Sequence, residues 1–167
     1  MKYAIVYSSK TGNTAQLAQA VQATLPSGDC LYFGFPDPQV LQADLIFIGF
    51  WTDKGTCDSQ TAAFLQTLTS QSVFLFGTAG FGGEEAYFQR ILTAVKTHLA
   101  PGVTVVGSFM CQGKMPQAVR RRYESMEDGP HRDMLLTNFD RAVSHPDSSD
   151  LLRLSQCVST ILSAPLP

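Results

Sequence analysis

The chain has 167 residues, 44% of apolar type and only 16% charged, with 12 Lys and Arg against 14 Asp and Glu for a net charge of −2. That length makes one domain spanning 1–167 the default, with enough apolar residues to fill one sizeable core. Charge this near balance supplies no field for gripping a nucleic-acid backbone or an anionic membrane, so neither is a first-choice partner.

The first strand is expected at Tyr3-Ala4-Ile5-Val6-Tyr7. Lys2 followed by an apolar run mimics the start of an export signal. The run is too short for one, and Lys10-Thr11-Gly12-Asn13-Thr14 stands where an apolar region would continue. Thr14 to Leu25 carries Leu17, Ala18, Val21 and Leu25 at helical spacing, with Pro26 as a stop. A second strand, Cys30 to Phe33, follows. The stretch from Phe35 to Ala43 holds two prolines and leaves room for no more than a vestigial helix. Leu45-Ile46-Phe47-Ile48 is the third strand, and the apolar run that contains it, Leu45 to Trp51, is far short of a membrane span.

Ser59 to Leu68 is a second helix and Val73-Phe74-Leu75-Phe76 a fourth strand. Glu84 to Leu99 opens with two acids, as the positive end of a helix prefers, and stops before Pro101-Gly102. Val103-Thr104-Val105-Val106 opens the fifth strand, which runs to Met110. These strands are apolar at nearly every position, as in a parallel sheet buried on both faces. Strands alternating with helices predict an α/β three-layer sandwich with right-handed crossovers.

After the fifth strand the pattern changes. Gly113 to Glu127 reads as helical, Gly129-Pro130 as a break, and Leu135 to Val143 as a second short helix. His145-Pro146 precedes a last helix near Asp150 to Leu162, with Ser149 as its expected cap. A five-stranded unit needs one helix there, so residues 111–145 are an elaboration. Cysteines stand at 30, 57, 111 and 157 with no CxxC and no metal spacing, which predicts reduced thiols in a cytoplasmic protein.

The segment richest in chemistry is Ser8-Ser9-Lys10-Thr11-Gly12-Asn13-Thr14, between the first strand and the first helix. A loop there aims backbone N–H groups and the positive end of a helix dipole above the strand's carboxyl end. Hydroxyls at Ser9, Thr11 and Thr14 can converge on one phosphate, and Gly12 lets the backbone come close. The order of Lys10 and Gly12 is not that of a Walker loop, and GxGxxG is absent. A helix-capping turn with no ligand is the plainer alternative.

Ser9-Lys10-Thr11-Gly12-Asn13-Thr14 resembles the [ST]-x-T-G-x-T phosphate loop of flavodoxins, at the place that family uses it. Phe50-Trp51-Thr52-Asp53-Lys54-Gly55-Thr56 and Thr78-Ala79-Gly80-Phe81-Gly82-Gly83 fall where flavodoxins have their two flavin loops. The resemblance covers about residues 1–110. It implies a five-stranded parallel sheet in the order 2-1-3-4-5, bound FMN, and electron transfer between a reductase and an acceptor protein. It also implies a cofactor-binding set of Ser9 to Thr14, Trp51 to Gly55 and Thr78 to Gly83. Within it Trp51 and Phe81 are the aromatic residues able to flank the flat ring. In flavodoxins a peptide after the third strand turns over toward N5 of the ring, which needs a residue tolerant of positive φ; Gly55 is the candidate, with Lys54 one position away.

Two features depart from that family. Flavodoxins are strongly acidic and attract basic partners, whereas this chain carries −2. The fifth strand also runs into Cys111-Gln112-Gly113-Lys114-Met115-Pro116, which resembles a bacterial subset having that stretch and an HPD before the last helix. Some of that subset are associated with bilin reduction as electron suppliers.

Cys57 and Cys111 fall near the expected ring; a thiol at a helix start, as at Cys57, has a lowered pKa, while a small buried residue is the commoner case. His98, His131 and His145 have no partner at catalytic spacing. Three functions remain in play: an FMN electron carrier with no catalytic residue, an NAD(P)H-dependent quinone or flavin reductase using Arg120, Arg121 and Arg122, and an interaction module without flavin. A phospho-acceptor receiver would need acids where Ser8 and Ser9 stand.

Overall fold

The computed structural model describes residues 1–163. Its strands are β1 (Tyr3–Tyr7), β2 (Cys30–Gly34), β3 (Leu45–Asp53), the two-residue β4 (Thr56–Cys57), β5 (Ser72–Ala79) and β6 (Thr104–Gln112). The five long strands are parallel in the order β2-β1-β3-β5-β6, and β4 folds back antiparallel on the end of β3. Counted without β4, this is the expected 2-1-3-4-5.

Alternate residues of each strand feed two cores, which is why the strands lack a polar face. Val6, Ile48, Phe50 and Leu75 face α2 (Ser59–Leu65) and α3 (Glu85–Lys96), meeting Phe64, Ile91 and Val95. Ile5, Phe47, Phe74 and Phe76 face α1 (Asn13–Thr24) and α6 (Ser148–Leu162), meeting Leu17, Val21, Leu154 and Val158. At the centre, β3 and β5 exchange rings. Gly49 stands opposite Phe76, and Phe50 opposite Gly77. Each aromatic ring lies over its partner glycine, so a Cβ at either glycine would stand 2.4 Å from a ring carbon.

The elaboration forms α4 (Gln117–Glu124) and α5 (Pro130–Ala142), which pack together around Tyr123, Leu135 and Phe139. Several boundaries differ from expectation. Residues 113–116 are not helical, because Gly113 N–H continues the sheet to the Ala79 carbonyl at 2.9 Å and Lys114 N–H donates to the His145 carbonyl at 2.8 Å. Pro130 begins α5 instead of only breaking a helix, since the first turn does not use its missing N–H. β6 runs from Thr104 to Gln112, two residues beyond the expected Met110. A short 3-10 turn, Pro38–Gln42, is all the helix between β2 and β3.

The last helix is capped by Asp147, not Ser149. Asp147 accepts from Asp150 N–H at 2.9 Å, and the Asp150 carboxylate accepts from Asp147 N–H at 3.0 Å, a reciprocal box that satisfies two end donors where a serine would satisfy one. Asp150 also takes His145 Nδ1 at 2.6 Å and Arg153 at 2.7 Å. Burial alone would raise this carboxyl, but bonds from His145, the Asp147 backbone and Arg153 outweigh it and hold the pKa below the ordinary value. A carboxyl depressed in the folded state contributes stability above its unfolded pKa of about 4, and that share is lost as pH falls through the lower folded value. Thermal melts from pH 5 downward are therefore expected to show a falling Tm, with the slope reduced in Asp150→Asn.

Candidate ligand-binding site

The loop from β1 to α1 is organised by Ser9, whose Oγ accepts from the N–H groups of Gly12 (3.2 Å) and Ala15 (3.3 Å). That leaves the Ser9 hydroxyl proton for another acceptor. Gly12 has φ of 91°, a left-handed conformation that a side chain rarely adopts, while the space around it is open. Glycine is needed there for backbone conformation more than for clearance. α1 starts with no side-chain cap and no acid in its first turn, whereas α2 and α6 are capped by Asp58 and Asp147. Apart from the Ala15 N–H taken by Ser9, its positive end is left uncompensated.

The three hydroxyls expected to converge take different positions. Ser9 braces the loop and Thr11 is exposed at its tip. Thr14 is 1% exposed; its hydroxyl donates to the Phe50 carbonyl at 3.2 Å and shares a 3.3 Å hydrogen bond with Thr78 Oγ1. Asn13 turns away from the loop and donates to the Lys114 carbonyl at 2.9 Å, joining segments 101 residues apart. Gly113 makes this possible, since a Cβ there would stand 2.5 Å from the Asn13 amide nitrogen.

The second segment is the β3–β4 hairpin. Lys54 and Gly55 both have positive φ, 50° and 83°, and pair Asp53 with Thr56 across a two-residue turn of the primed type. The left-handed requirement expected of Gly55 or its neighbour thus falls on both. Trp51, half-buried before this turn, has the Lys10 ammonium 5.0 Å from its ring centroid.

The third segment, Thr78 to Gly83, is held by the elaboration. The Gly80 carbonyl accepts from Gln112 Nε2 (3.0 Å) and Asn138 Nδ2 (3.1 Å), and Gln112 also donates to Asn138 Oδ1 at 3.0 Å. A Cβ on Gly80 would strike Met115, so that glycine permits the turn after β6 to close over the loop. Phe81 is half-buried against the Tyr123, Leu135 and Phe139 cluster.

The three segments meet around one cavity of about 580 Å³. Of the expected residues, Lys10, Thr11, Asn13, Trp51, Thr52, Asp53, Lys54, Gly55, Thr78, Ala79, Gly80 and Phe81 line it. Ser9, Gly12 and Thr14 are not in its lining, and Gly82 packs on Gln112 and Phe88 while Gly83 (φ 94°) turns the chain toward α3. The expected cofactor set left out Gly113, Lys114, Met115, Pro116 and Arg122, the last expected only for a reductase, and sequence reasoning missed Tyr87 and Val119; all seven line the cavity. Residues 113–116 had a signal, a segment directly after the last strand on the carboxyl side of the sheet, whereas Tyr87 and Val119, on α3 and α4, had none. Two buried polar atoms of lining residues, Asn13 Oδ1 and Thr52 Oγ1, lack a partner. With four cations against Asp53 alone, the wall suits an elongated ligand having an anionic end and a flat aromatic part.

Cys57 and Cys111 follow the commoner expectation of small buried residues, and the lowering a helix start could give Cys57 does not act. Burial pushes Cys57 up to about 11, against a hydrogen bond from Thr56, and the Asp58 carboxylate adds to the rise. Asp58 caps α2 itself, so the helix end does not act on the thiol. Burial also raises Cys111 well above the ordinary thiol range. Cys30 and Cys157 are half-buried. Titration of the native protein with a thiol reagent at pH 8 is expected to label Cys30 and Cys157 first, with Cys57 and Cys111 reacting only after unfolding. His145, Asp147 and Asp150 bring three possible metal-ligating atoms within 4.8 Å, but the Asp150 oxygens already serve His145, Arg153 and the helix cap.

Known proteins resemble the whole arrangement. The family model for the flavodoxin domain matches residues 4–159. The flavodoxin-like domain-containing protein BilS of Clostridium symbiosum (strain WAL-14163) is 41% identical over 90% of this chain and 90% of its own length. Oxidised flavodoxin 2 from Bacillus cereus superposes with a TM-score of 0.58 at 15% identity, covering 98% of this chain and 99% of that one. A flavoprotein from Lactobacillus acidophilus NCFM, solved in complex with FMN, gives 0.52 at 17% identity, over 65% of this chain and 92% of that one.

Proposed function

The chain belongs to the flavodoxin family, and from that premise we propose that it binds FMN in the 580 Å³ cavity and carries electrons between a reductase and an acceptor protein. The observation that carries this reading is the meeting of three loops, from the carboxyl ends of β1, β3 and β5, around one cavity beside an uncapped helix N-terminus. The residues fit the cofactor. The Thr11 and Ser9 hydroxyls and the first N–H groups of α1 would hold the phosphate, largely with neutral donors. Trp51 and Phe81 would flank the ring, and the unpartnered Thr52 Oγ1 would bond its polar edge.

FMN, when bound, supplies the electron chemistry by accepting and releasing one or two electrons. The chain's residues bind, orient and shield it. Asp53 and Lys54 at the hairpin would place opposite charges near the ring, and the positive φ at Lys54 and Gly55 holds the turn that would face it. Met115, Pro116 and Val119 cover the cavity from the elaboration. No side chain needs to act as acid, base or nucleophile.

The rival reading, an NAD(P)H-dependent reductase, asked for three arginines. Of these Arg120 is engaged by Glu124 and Asp140, and Arg122 alone lines the cavity. We also take the protein to act as one domain, with 111–145 as its elaboration, in the cytoplasm, where its four free cysteines would stay reduced. Among the described residues no helix is long and apolar enough to cross a membrane.

The test is a visible absorption spectrum of the purified protein with added FMN, followed by anaerobic titration with NADPH. FMN uptake without bleaching by NADPH is the expected result for a carrier that depends on a separate reductase. Rapid bleaching would mean a reductase in its own right, and no uptake would leave an interaction module on this fold.

A further inference from the structure

Beside the first cavity lies a second of about 460 Å³, between the β5–α3 loop, α3 and α5, with Phe81 and Tyr87 lining both. Arg90 from α3 and Arg141 from α5 stand in its wall with Glu84. Taken together, the two cavities carry six exposed cations, Lys10, Lys54, Arg90, Lys114, Arg122 and Arg141, against two acids, Asp53 and Glu84. Six against two is a formal surplus of four positive charges on one face of a chain whose net charge is −2.

Pairing sharpens the contrast. Lys2, Arg120, Arg132 and Arg153 each have a carboxylate partner, while none of the six does among the described residues. None of the elaboration's acids lines either cavity, and three of them are held by other arginines, Glu124 and Asp140 by Arg120 and Asp128 by Arg132. A phosphate bringing about two negative charges would still leave this face positive.

We infer that this face docks the acidic surface of a protein redox partner, an inference that rests on the reading of the first cavity as the FMN site. The cations are spread over the β1–α1 loop, the β3–β4 hairpin, α3, the turn after β6, α4 and α5. A field that broad steers and orients a macromolecule, whereas a small anion would be served by convergence on one cleft. Electron transfer needs the partner close to the ring, and the positive rim surrounds that mouth. This is the reverse of the acidic face and basic partner that resemblance to flavodoxins implied.

The test uses one acceptor protein in two charge forms, native basic cytochrome c and its succinylated acidic derivative. Reduced holoprotein, freed of excess reductant, is mixed with each in stopped flow; one electron leaves the protein for each ferric haem reduced. At low salt the succinylated form is expected to react at least about ten times faster than at high salt, where the field is screened. The native form is expected to show the opposite salt dependence. The sign of that dependence is the criterion, because succinylation also alters the haem. Arg141→Glu should remove most of the effect, while Lys96→Glu, the same charge change on an unpaired cation outside both cavities, should leave most of it.

Amide NMR of the protein titrated with the two cytochromes reads the contact without relying on the flavin. Shifts confined to α3, α5 and residues 114–122, with the succinylated form only, are expected. A preference for native cytochrome c that weakens with salt, or shifts on another face, would overturn the inference. Salt-sensitive reaction with ferricyanide but no shifts with succinylated cytochrome would replace it with a small-anion site. Failure to take up FMN would overturn the earlier reading alone, since the NMR titration still decides the docking face.

Discussion

Thr11→Ala is expected to weaken FMN binding by about ten- to a hundredfold, the loss of one hydrogen bond to a charged group at about 1.5–3 kcal/mol. Thr11 is exposed at the loop tip and no hydrogen bond within the described fold uses its side chain, so folding should be untouched. Thr14 has a different position. Its hydroxyl bridges the Phe50 carbonyl and Thr78 Oγ1 where β3, β5 and α1 meet. Thr14→Ala should therefore lower the Tm of the FMN-free protein, at a cost of about 1–3 kcal/mol of stability, because the buried Thr78 hydroxyl loses its partner and the tie to Phe50 is lost. Thr14→Ser should restore most of it. The double Thr11→Ala/Thr14→Ala protein is expected to bind FMN at least about a hundredfold more weakly, because the loop loses both a ligand donor and its anchor to β3. Quenching of FMN fluorescence measures the affinities and thermal melts separate the two causes. Unchanged affinity in the double variant would sink the phosphate-loop assignment.

The largest effect on the fold is expected from Gly49→Ala. A Cβ there would stand 2.4 Å from the Phe76 ring and 2.9 Å from Tyr7 Cβ. The ring sits at the tip of its side chain and can turn, but Tyr7 Cβ moves only with β1. At Gly77→Ala the three nearest atoms all belong to the Phe50 ring, the closest at 2.4 Å. Overpacking in a filled core costs about 1–3 kcal/mol, and Gly49→Ala should reach or pass the upper figure while Gly77→Ala stays nearer the lower. Chemical denaturation of the two variants checks the order. A second-site Phe50→Leu should recover part of the Gly77→Ala loss and none of the Gly49→Ala loss, because the two glycines open toward opposite cores.

Much of this architecture was legible along the chain. Runs such as Leu45-Ile46-Phe47-Ile48 and Val73-Phe74-Leu75-Phe76 have no polar face, and only a sheet covered on both sides can bury them. The β1–α1 loop was visible because its glycine and hydroxyls are adjacent in sequence. Helix ends after β6 were harder to read. Ser149 looks like a cap by residue type, yet the competition was decided by the reciprocal bonds of Asp147 and Asp150. Residues 113–116 carry no helix-breaking signal before Pro116 except one glycine, and they stay extended because Ala79 and His145, distant in sequence, supply carbonyls for their N–H groups.

The sequence by itself determined the parallel α/β sandwich, the strand order that resemblance implied, and three of the segments around the cavity. These rest on local patterns of hydrophobicity and turn chemistry, which act between near neighbours. Tertiary structure decided the rest. It turned Thr14 and Asn13 from expected ligand groups into ties between elements, and brought Asn138 onto the Gly80 carbonyl from 58 residues away. It also sorted the charges. A net charge of −2 is a sum over the chain, but an electrostatic field depends on which cations stand close together without a carboxylate beside them. Only the folding of α3, α4 and α5 around the mouth of the cavity, and the engagement of Asp128 and Asp140 with other arginines, makes one face of this nearly neutral chain positive.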